Sequence, residues 1–211
     1  MLIAFEGIDR SGKSTLSVNF HGWLNNECRD DDGSLLIDPH LGDFLWTKEP
    51  TFSTEEADNL NSDDSQVDEY QRERIFFESR MRHQETLATN NVVCDRYMWS
   101  GIAYARKFSP GCFGLLKELY LSENLFMAPD LYVFVDTPPE VCYDRDPTTD
   151  LDKLKLLRQA YMETQELIKA PVLNVLGLGG EQRTLSKMVD LFQNFILLCQ
   201  HRDRCIGYGE V

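Results

Sequence analysis

The chain has 211 residues, of which 42% are hydrophobic and 27% charged, and this composition is typical of one soluble globular domain. Its formal net charge of −14 argues against binding to nucleic acid or to an anionic membrane surface, because both partners are themselves negative. Six cysteines without a CxxC pair or zinc-site spacing, and the absence of a signal-peptide pattern or long apolar run, predict a cytoplasmic protein with free thiols.

Five short apolar runs alternate with longer stretches of helical periodicity. The predicted strands are residues 2–5, 44–47, 91–95, 131–136 and 171–176. The predicted helices are residues 13–28, 67–89, 99–106, 113–121, 151–170 and 185–199, with a short helix that opens at Pro138 and Pro139. Strands that alternate with helices indicate an α/β fold with a five-stranded parallel sheet covered on both faces, which is a three-layer α/β/α sandwich.

Polar segments interrupt this alternation in three places. Residues 29–33 are predicted to form a solvated loop, and the acidic residues 51–66 a mobile loop with at most one helical turn. Residues 201–211 are predicted to form a loose C-terminal tail. The remaining residues, 1–200, contain no internal repeat and are predicted to form a single domain.

Residues 7–14, GIDRSGKS, have the form GxxxxGK[ST] and stand between the first predicted strand and the first predicted helix. In this context glycines let successive backbone N–H groups point at phosphate oxygens, and the helix adds its positive N-terminal end. Lys13 is expected to reach the outer phosphates, and the Ser14 hydroxyl to bind Mg²⁺. The motif predicts a P-loop that binds ATP through Gly7, Ile8, Asp9, Arg10, Ser11, Gly12, Lys13, Ser14 and Thr15.

Residues 93–105, VCDRYMWSGIAYA, form the second informative stretch. Asp95 ends a buried strand beside the P-loop, and this position suits the water shell of Mg²⁺. Arg96 follows it at the carboxyl ends of the strands, where ligands bind in open parallel sheets. For these two residues alone, a surface ion pair is an equally good interpretation.

Together these motifs resemble those of the thymidylate kinases, which transfer the γ-phosphoryl of ATP to thymidine 5′-monophosphate (dTMP). Residues 95–104 match the family signature DR[YH]xxSxxA[FY], and residues 5–15 match its opening FEGxDxxGKST. Residues 48–50, KEP, stand where many members have REP, and the sequence also contains PDL and DxPPE segments. The resemblance covers about residues 1–200, and it implies a P-loop NTPase fold, a lid at about residues 145–152, ATP with Mg²⁺, and a homodimer.

The resemblance also implies which residues bind the acceptor dTMP. Phe76 would stack on thymine and Arg80 would contact its carbonyl, both from one helix face because they are four residues apart. Arg96 would hold the acceptor phosphate, Asp9 would accept a hydrogen bond from the 3′-hydroxyl, and Tyr104 would disfavour ribose. The other residues expected to contact dTMP are Glu49, Pro50, Ser100 and Gly101.

Arg10 lies inside the P-loop, whereas the lid residues 146–152 contain no Lys or Arg. The chain therefore resembles the form of the family whose catalytic arginine belongs to the P-loop. Arg10 would act as a built-in arginine finger beside Lys13 and Arg96, and Arg145 would stack on adenine. This mechanism needs no general base, because the acceptor phosphate is mostly dianionic at neutral pH.

Other functions stay open from the sequence. A deoxynucleoside kinase of the same fold would need a base for the 5′-hydroxyl, for which Glu49 is the candidate, and a different pyrimidine deoxynucleotide is also a possible acceptor. A nucleotide-dependent switch or binding module is the alternative from another class, although the sequence lacks the guanine-reading NKxD motif of GTPases. For Phe76 and Tyr104 taken singly, packing in the core is the alternative to a role in the site.

Overall fold

The computed structural model describes residues 1–28, 42–61, 68–178 and 180–206. Within these ranges the strands are β1 (Leu2–Glu6), β2 (Phe44–Lys48), β3 (Asn91–Asp95), β4 (Leu131–Asp136) and β5 (Val172–Leu176). Their order across the sheet is β2-β3-β1-β4-β5, and every neighbouring pair is parallel. The predicted five-stranded parallel sheet is therefore confirmed, with β1 at its centre.

Helices connect the strands and cover both faces of the sheet. They are α1 (Lys13–Asn26), α2 (Thr54–Asn61), α3 (Glu69–Thr89), α4 (Met98–Phe108), α5 (Phe113–Tyr120), α6 (Pro139–Arg145), α7 (Leu151–Thr164) and α8 (Glu181–Ile206). Asp68 and Asp150 cap α3 and α7, because their side chains accept hydrogen bonds from backbone N–H groups of the first turn. Among the described helices, none combines the length and the apolar character that crossing a membrane requires.

The central strand supplies side chains to two cores. Every residue of β1 is buried, and successive side chains of a strand point to opposite faces of the sheet. On one face Phe5 packs against Phe20 of α1, which also packs against Phe192 of α8. On the other face Trp99 of α4 packs against Tyr161 of α7. The loop that follows β1 is thus attached to the best-buried strand of the sheet.

Residues 51–66 are predicted to form a loop with at most one helical turn. In the structure Thr54–Asn61 form a helix of eight residues. Ser53 and Glu56 form a capping box: Ser53 Oγ accepts from the Glu56 N–H at 3.2 Å, and the Glu56 carboxylate accepts from the Ser53 N–H at 2.8 Å. Arg82 of α3 donates two hydrogen bonds to the same carboxylate, at 2.7 and 2.9 Å, and so holds α2 against α3. The loop prediction is wrong for this segment, and residues 62–67 lie outside the described residues.

The bounds of two helices also differ from the prediction. The helix predicted over 151–170 ends at Thr164 and continues only as a 3₁₀ turn at Gln165–Leu167. The last helix begins earlier and runs to Ile206, so residues 201–206 are helical and not part of a loose tail. The predicted loop 29–33 and the final residues 207–211 lie outside the described residues.

Candidate active site

A cavity of about 700 Å³ opens at the carboxyl ends of β1, β2 and β3. The P-loop residues from Asp9 to Thr15 form one side of its wall. The rest of the wall includes Lys48, Arg96, Arg145, Thr149, Gly177 and Glu181. The predicted P-loop and Arg96 thus border a single cavity, at the edge of a parallel sheet where ligands bind.

Two glycines allow the P-loop to turn beneath this cavity. Gly7 has a φ of 147° and Gly12 a φ of 93°, which are conformations that residues with side chains rarely adopt. A Cβ atom at Gly7 would also lie 2.7 Å from the Val135 carbonyl oxygen of β4. Inside the turn, the Ser11 N–H donates to the buried Ile8 carbonyl at 3.3 Å. The loop conformation therefore depends on glycine at both ends.

Lys13 is buried under the loop, where its Nζ donates to the Ile8 carbonyl oxygen at 3.2 Å. Burial and the positive charge of Arg96 lower the pKa of Lys13 to about 7, against the opposing effect of Asp9 and Asp95. A phosphate group in the cavity would add negative charge and favour the protonated amine. The position of Lys13 therefore suits an anionic ligand.

Arg10 and Arg145 meet where residues 145–152, the predicted lid, approach the P-loop. The Arg10 side chain is 58% exposed, and its Nη2 lies 2.6 Å from the Asp146 carboxylate at the start of the lid. Arg145 donates to the Arg10 carbonyl oxygen at 2.9 Å and to the Gly177 carbonyl oxygen at 2.7 Å. These bonds connect the lid, the P-loop and the loop after β5, and they place both arginines at the cavity.

Asp9, Arg96 and Tyr104 form one cluster at the cavity. Arg96 has a φ of 73°, and its Nη2 donates to Asp9 Oδ1, while the Tyr104 hydroxyl donates to Asp9 Oδ2 at 2.8 Å. Burial raises the pKa of Asp9, but the charges of Arg96 and Lys13 outweigh it, so this pKa lies below its usual value. The Tyr104 ring packs against the core, as its alternative interpretation had it, while its hydroxyl faces Asp9 at the candidate site.

A buried network under Arg96 was not predicted from the sequence. Glu6 has no exposed surface and accepts hydrogen bonds from the hydroxyls of Ser100 and Tyr161, the latter at 3.1 Å. Arg96 Nη1 donates to Ser100 Oγ at 3.1 Å. Burial raises the pKa of Glu6 above its usual value. Ser100, predicted to contact the acceptor, is therefore buried beneath Arg96 and supports it.

Asp95 is completely buried, and neither oxygen of its carboxylate has a hydrogen-bond partner. The Nζ of Lys48 lies 3.8 Å from Oδ2. Burial of a carboxylate without hydrogen bonds is costly, and the waters of a hydrated Mg²⁺ are suitable donors to it. Ser14 and Lys48 stand in the wall of the P-loop cavity, whereas Asp95 is not among the residues that line it. Both predicted metal-site residues thus fit a hydrated magnesium ion.

The side chains of Phe76 and Arg80 lie together on α3, as their spacing predicts. The Arg80 Cζ is 5.9 Å from the Phe76 ring centroid, and Arg80 Nη1 donates to the Tyr120 hydroxyl at 3.0 Å. Phe76 borders a second cavity of about 270 Å³, whose wall also includes Phe52 and Leu60. Among the predicted acceptor residues, Asp9 and Arg96 border the first cavity and Phe76 borders the second, whereas Arg80 is buried behind Phe76 and borders neither.

Three other predicted acceptor residues occupy less direct positions. Glu49 is fully buried and accepts a hydrogen bond from His83 Nδ1 at 2.8 Å, and Pro50 follows it half-buried. Gly101 lies against the ring of Tyr120, where a Cβ atom would come within 2.6 Å. Glu49, Pro50 and Gly101 border neither cavity.

Comparison with known proteins identifies the family. The family model described as thymidylate kinase matches residues 5–175 of this chain. The chain belongs to the thymidylate kinase family. The matched range begins in β1 and ends in β5, so it includes the P-loop, Asp95, Arg96 and the lid. The predicted family and the predicted P-loop kinase fold are both confirmed.

Relatives from bacteria and archaea agree with this membership of the thymidylate kinase family. A thymidylate kinase of Mesomycoplasma hyopneumoniae strain 7448 is 33% identical over 157 residues, or 69% of each chain. A probable thymidylate kinase of Methanocaldococcus jannaschii is 30% identical over 79% of this chain and 82% of its own. Another, from Archaeoglobus fulgidus, is 28% identical over 92% of this chain and 97% of its own.

Proposed function

We propose that this chain is an ATP-dependent dTMP kinase, which transfers the γ-phosphoryl of ATP to dTMP and yields dTDP for dTTP synthesis. Its membership of the thymidylate kinase family supports this activity. The structural observation that supports it is a P-loop cavity of about 700 Å³ with Arg96 in its wall. In this proposal the base of the acceptor would bind against Phe76, which borders the second cavity and has the Arg80 guanidinium 5.9 Å from its ring centroid.

In this proposal ATP binds to residues 7–15 of the P-loop, and Arg145 stacks on adenine. Arg145 is already held in the cavity wall by the Arg10 and Gly177 carbonyls, at 2.9 and 2.7 Å. The acceptor phosphate binds to Arg96, whose guanidinium now pairs with Asp9. Asp9 also accepts a hydrogen bond from the Tyr104 hydroxyl. The sugar would therefore be held where Asp9, Arg96 and Tyr104 meet.

The transfer needs position and charge neutralisation rather than a base. The second pKa of a phosphomonoester is about 6, so the acceptor oxygen is deprotonated at neutral pH. Lys13, Arg10 and Arg96 would hold the transferring and accepting phosphates and neutralise their charge. Mg²⁺, supported by Ser14 and by the unpartnered carboxylate of Asp95, would supply further charge neutralisation between the phosphates.

The surroundings of Glu49 favour this acceptor over a nucleoside. A deoxynucleoside kinase would need a carboxylate free to accept the 5′-hydroxyl proton. Glu49 has no exposed surface, its Oε1 accepts from His83, and its Oε2 lies 3.2 Å from Arg80 Nε. Its charge is therefore already matched by a buried arginine.

The proposal also includes a cytoplasmic location and a homodimer. The described cysteines Cys94, Cys112, Cys142 and Cys199 are free thiols, which supports a reducing compartment. The homodimer rests on resemblance to the family. Light scattering of the purified chain measures it directly, and a monomeric mass at assay concentration would contradict it.

An acceptor screen tests the proposed function. Purified protein with ATP and Mg²⁺ would be offered all common nucleoside monophosphates, and thymidine as the nucleoside control. We expect dTMP to give the highest kcat/KM and thymidine to give none. Phosphorylation of thymidine without phosphorylation of dTMP would support a deoxynucleoside kinase, and ATP binding without any transfer would support a binding module.

Replacing Arg80 with alanine is expected to weaken the binding of dTMP much more than the binding of ATP. Arg80 lies over Phe76 at the proposed base site, away from the P-loop cavity. Loss of a hydrogen bond from a charged group should raise KM for dTMP by about 10-fold or more. Steady-state kinetics with each substrate varied measures both constants. Equal weakening of dTMP and ATP would instead indicate a structural arginine.

Replacing Tyr104 with alanine is expected to raise the kcat/KM for uridine monophosphate, relative to its deoxy form, by about 10-fold. The Tyr104 ring would stand against the sugar while its hydroxyl holds Asp9, so a 2′-hydroxyl meets the ring without a partner. Tyr104→Phe is the matched control, because it removes only the hydroxyl and should keep the preference. An unchanged ratio in folded Tyr104→Ala would exclude this role.

A further inference from the structure

A buried histidine lies one turn beyond Arg80 on α3, and the proposed function gives it no role. His83 is 7% exposed. Its Nδ1 is 2.8 Å from Glu49 Oε1, and its Nε2 is 2.8 Å from Thr47 Oγ1. Because a carboxylate accepts hydrogen bonds, Nδ1 of His83 is the donor to Glu49 Oε1, and Nε2 forms the second hydrogen bond of the ring, with the Thr47 hydroxyl.

Glu49 connects this histidine to Arg80. The Glu49 backbone N–H donates to the Asp95 carbonyl at 2.9 Å, which fixes the main chain at the end of β2. Its carboxylate Oε2 lies 3.2 Å from Arg80 Nε, yet neither atom has an aligned hydrogen bond. Attraction between charges holds this pair, and it has little directional preference of its own. The hydrogen bond from His83 is therefore what sets the orientation of the carboxylate.

We infer that His83 is a positioning residue for recognition of the acceptor base. By holding Glu49 Oε1, it directs Oε2 toward Arg80 and so fixes the guanidinium over Phe76. His83 borders neither cavity, so it acts on the ligand only through Glu49 and Arg80. The inference rests on the proposed function, because that function places the acceptor base at Phe76 and Arg80.

The same side chains do not favour a metal site. Ligand atoms of Glu49, His83 and Cys94 lie within 4.8 Å of one another. Both nitrogens of His83 already have hydrogen-bond partners, and the Cys94 thiol donates to the Arg96 carbonyl at 2.9 Å. Burial raises the pKa of Cys94 well above its usual value, and Arg80 already neutralises Glu49. A positive ion would therefore have to displace an arrangement whose charges are balanced.

Three substitutions of His83 separate positioning from packing. His83→Asn places an amide N–H near the position of Nδ1 and keeps a donor to Glu49, whereas His83→Gln places it near Nε2, toward Thr47. His83→Leu fills the volume without any donor. His21→Leu is the control, since His21 is a partly buried histidine on α1 that bonds the Phe44 carbonyl, across the sheet from α3.

Calorimetry with dTMP alone and with ATP–Mg²⁺ alone measures the two affinities for each folded variant. We expect His83→Leu and His83→Gln to raise the Kd for dTMP by about 10-fold and leave that for ATP unchanged. His83→Asn and His21→Leu should bind dTMP like the wild type. If His83→Leu does not fold, comparison of His83→Asn with His83→Gln decides the same point.

Three outcomes would overturn the inference. They are an unchanged dTMP affinity in His83→Gln and His83→Leu, an equal loss of ATP and dTMP affinity, and a dTMP affinity that rises on addition of Zn²⁺ and falls with a chelator. Turnover is measured separately on the wild type. A protein that binds dTMP but does not phosphorylate it would contradict the proposed function and leave the affinity comparison intact.

Discussion

Replacing Arg10 with alanine is expected to lower kcat by about 10²-fold or more, with little change in KM for either substrate. Arg10 stands in the wall of the P-loop cavity, and its side chain is 58% exposed. The lid residues 146–152 offer no lysine or arginine in its place. A charge that acts on the transferring phosphoryl group stabilises the transition state more than bound ATP, so the loss should appear in kcat.

Two further substitutions define what Arg10 contributes. Arg10→Lys keeps the charge but loses the planar fork, so its kcat should lie between those of the wild type and Arg10→Ala. Asp146→Asn removes the exposed ion pair at 2.6 Å without touching the guanidinium, and its kcat should change far less. Near-normal kcat in Arg10→Ala would show that another group supplies the charge, and a large effect of Asp146→Asn would show that the ion pair itself is needed.

The sheet could be predicted because its strands are short apolar runs between clear helical patterns. Helix α2 could not be predicted from composition, because its sequence TEEADNLN is acidic and only weakly apolar. A local signal was nevertheless present, since Ser53 and Glu56 have the spacing of a capping box. Ala57 and Leu60, three residues apart, then face the cavity beside Phe76. Capping chemistry would have located this helix where the hydrophobic pattern did not.

In the candidate site, too, some residues could be placed from the sequence and others could not. The P-loop, Asp95 and Arg96 could be placed together because each stands at the carboxyl end of a parallel strand, and such strand ends meet at one edge of the sheet. The supporting residues could not, because Glu6 and Tyr161 are 155 residues apart and their contact depends on how α7 packs. His83 had a sequence signal, since a residue three positions after Arg80 shares its helix face.

Replacing Asp95 with asparagine is expected to reduce kcat by about 10²-fold or more and to raise the melting temperature. Asp95 is fully buried with two unsatisfied carboxylate oxygens, and an unsatisfied buried acceptor costs about 1–3 kcal/mol. A neutral amide of the same shape is less costly to bury than a carboxylate. Because the negative charge of Asp95 is proposed to support Mg²⁺ beside Ser14, its removal should slow catalysis. The same substitution should stabilise the folded protein.

Asp136 supplies the matched control for this prediction, because it also ends a strand of the sheet, β4, and has its hydrogen bonds satisfied. Its two oxygens accept from Arg158 at 2.8 and 2.9 Å, so Asp136→Asn should lower the melting temperature. Melting without ligand and with ATP–Mg²⁺ distinguishes the two carboxylates, since binding to the native state raises the melting temperature. Without ligand, the melting temperature of Asp95→Asn should be higher than that of the wild type, and ATP–Mg²⁺ should raise it by less. The melting temperature of Asp136→Asn should be lower than that of the wild type, and ATP–Mg²⁺ should raise it by as much. If Asp95→Asn melts lower and keeps its kcat, Asp95 is a structural residue and not part of the metal site.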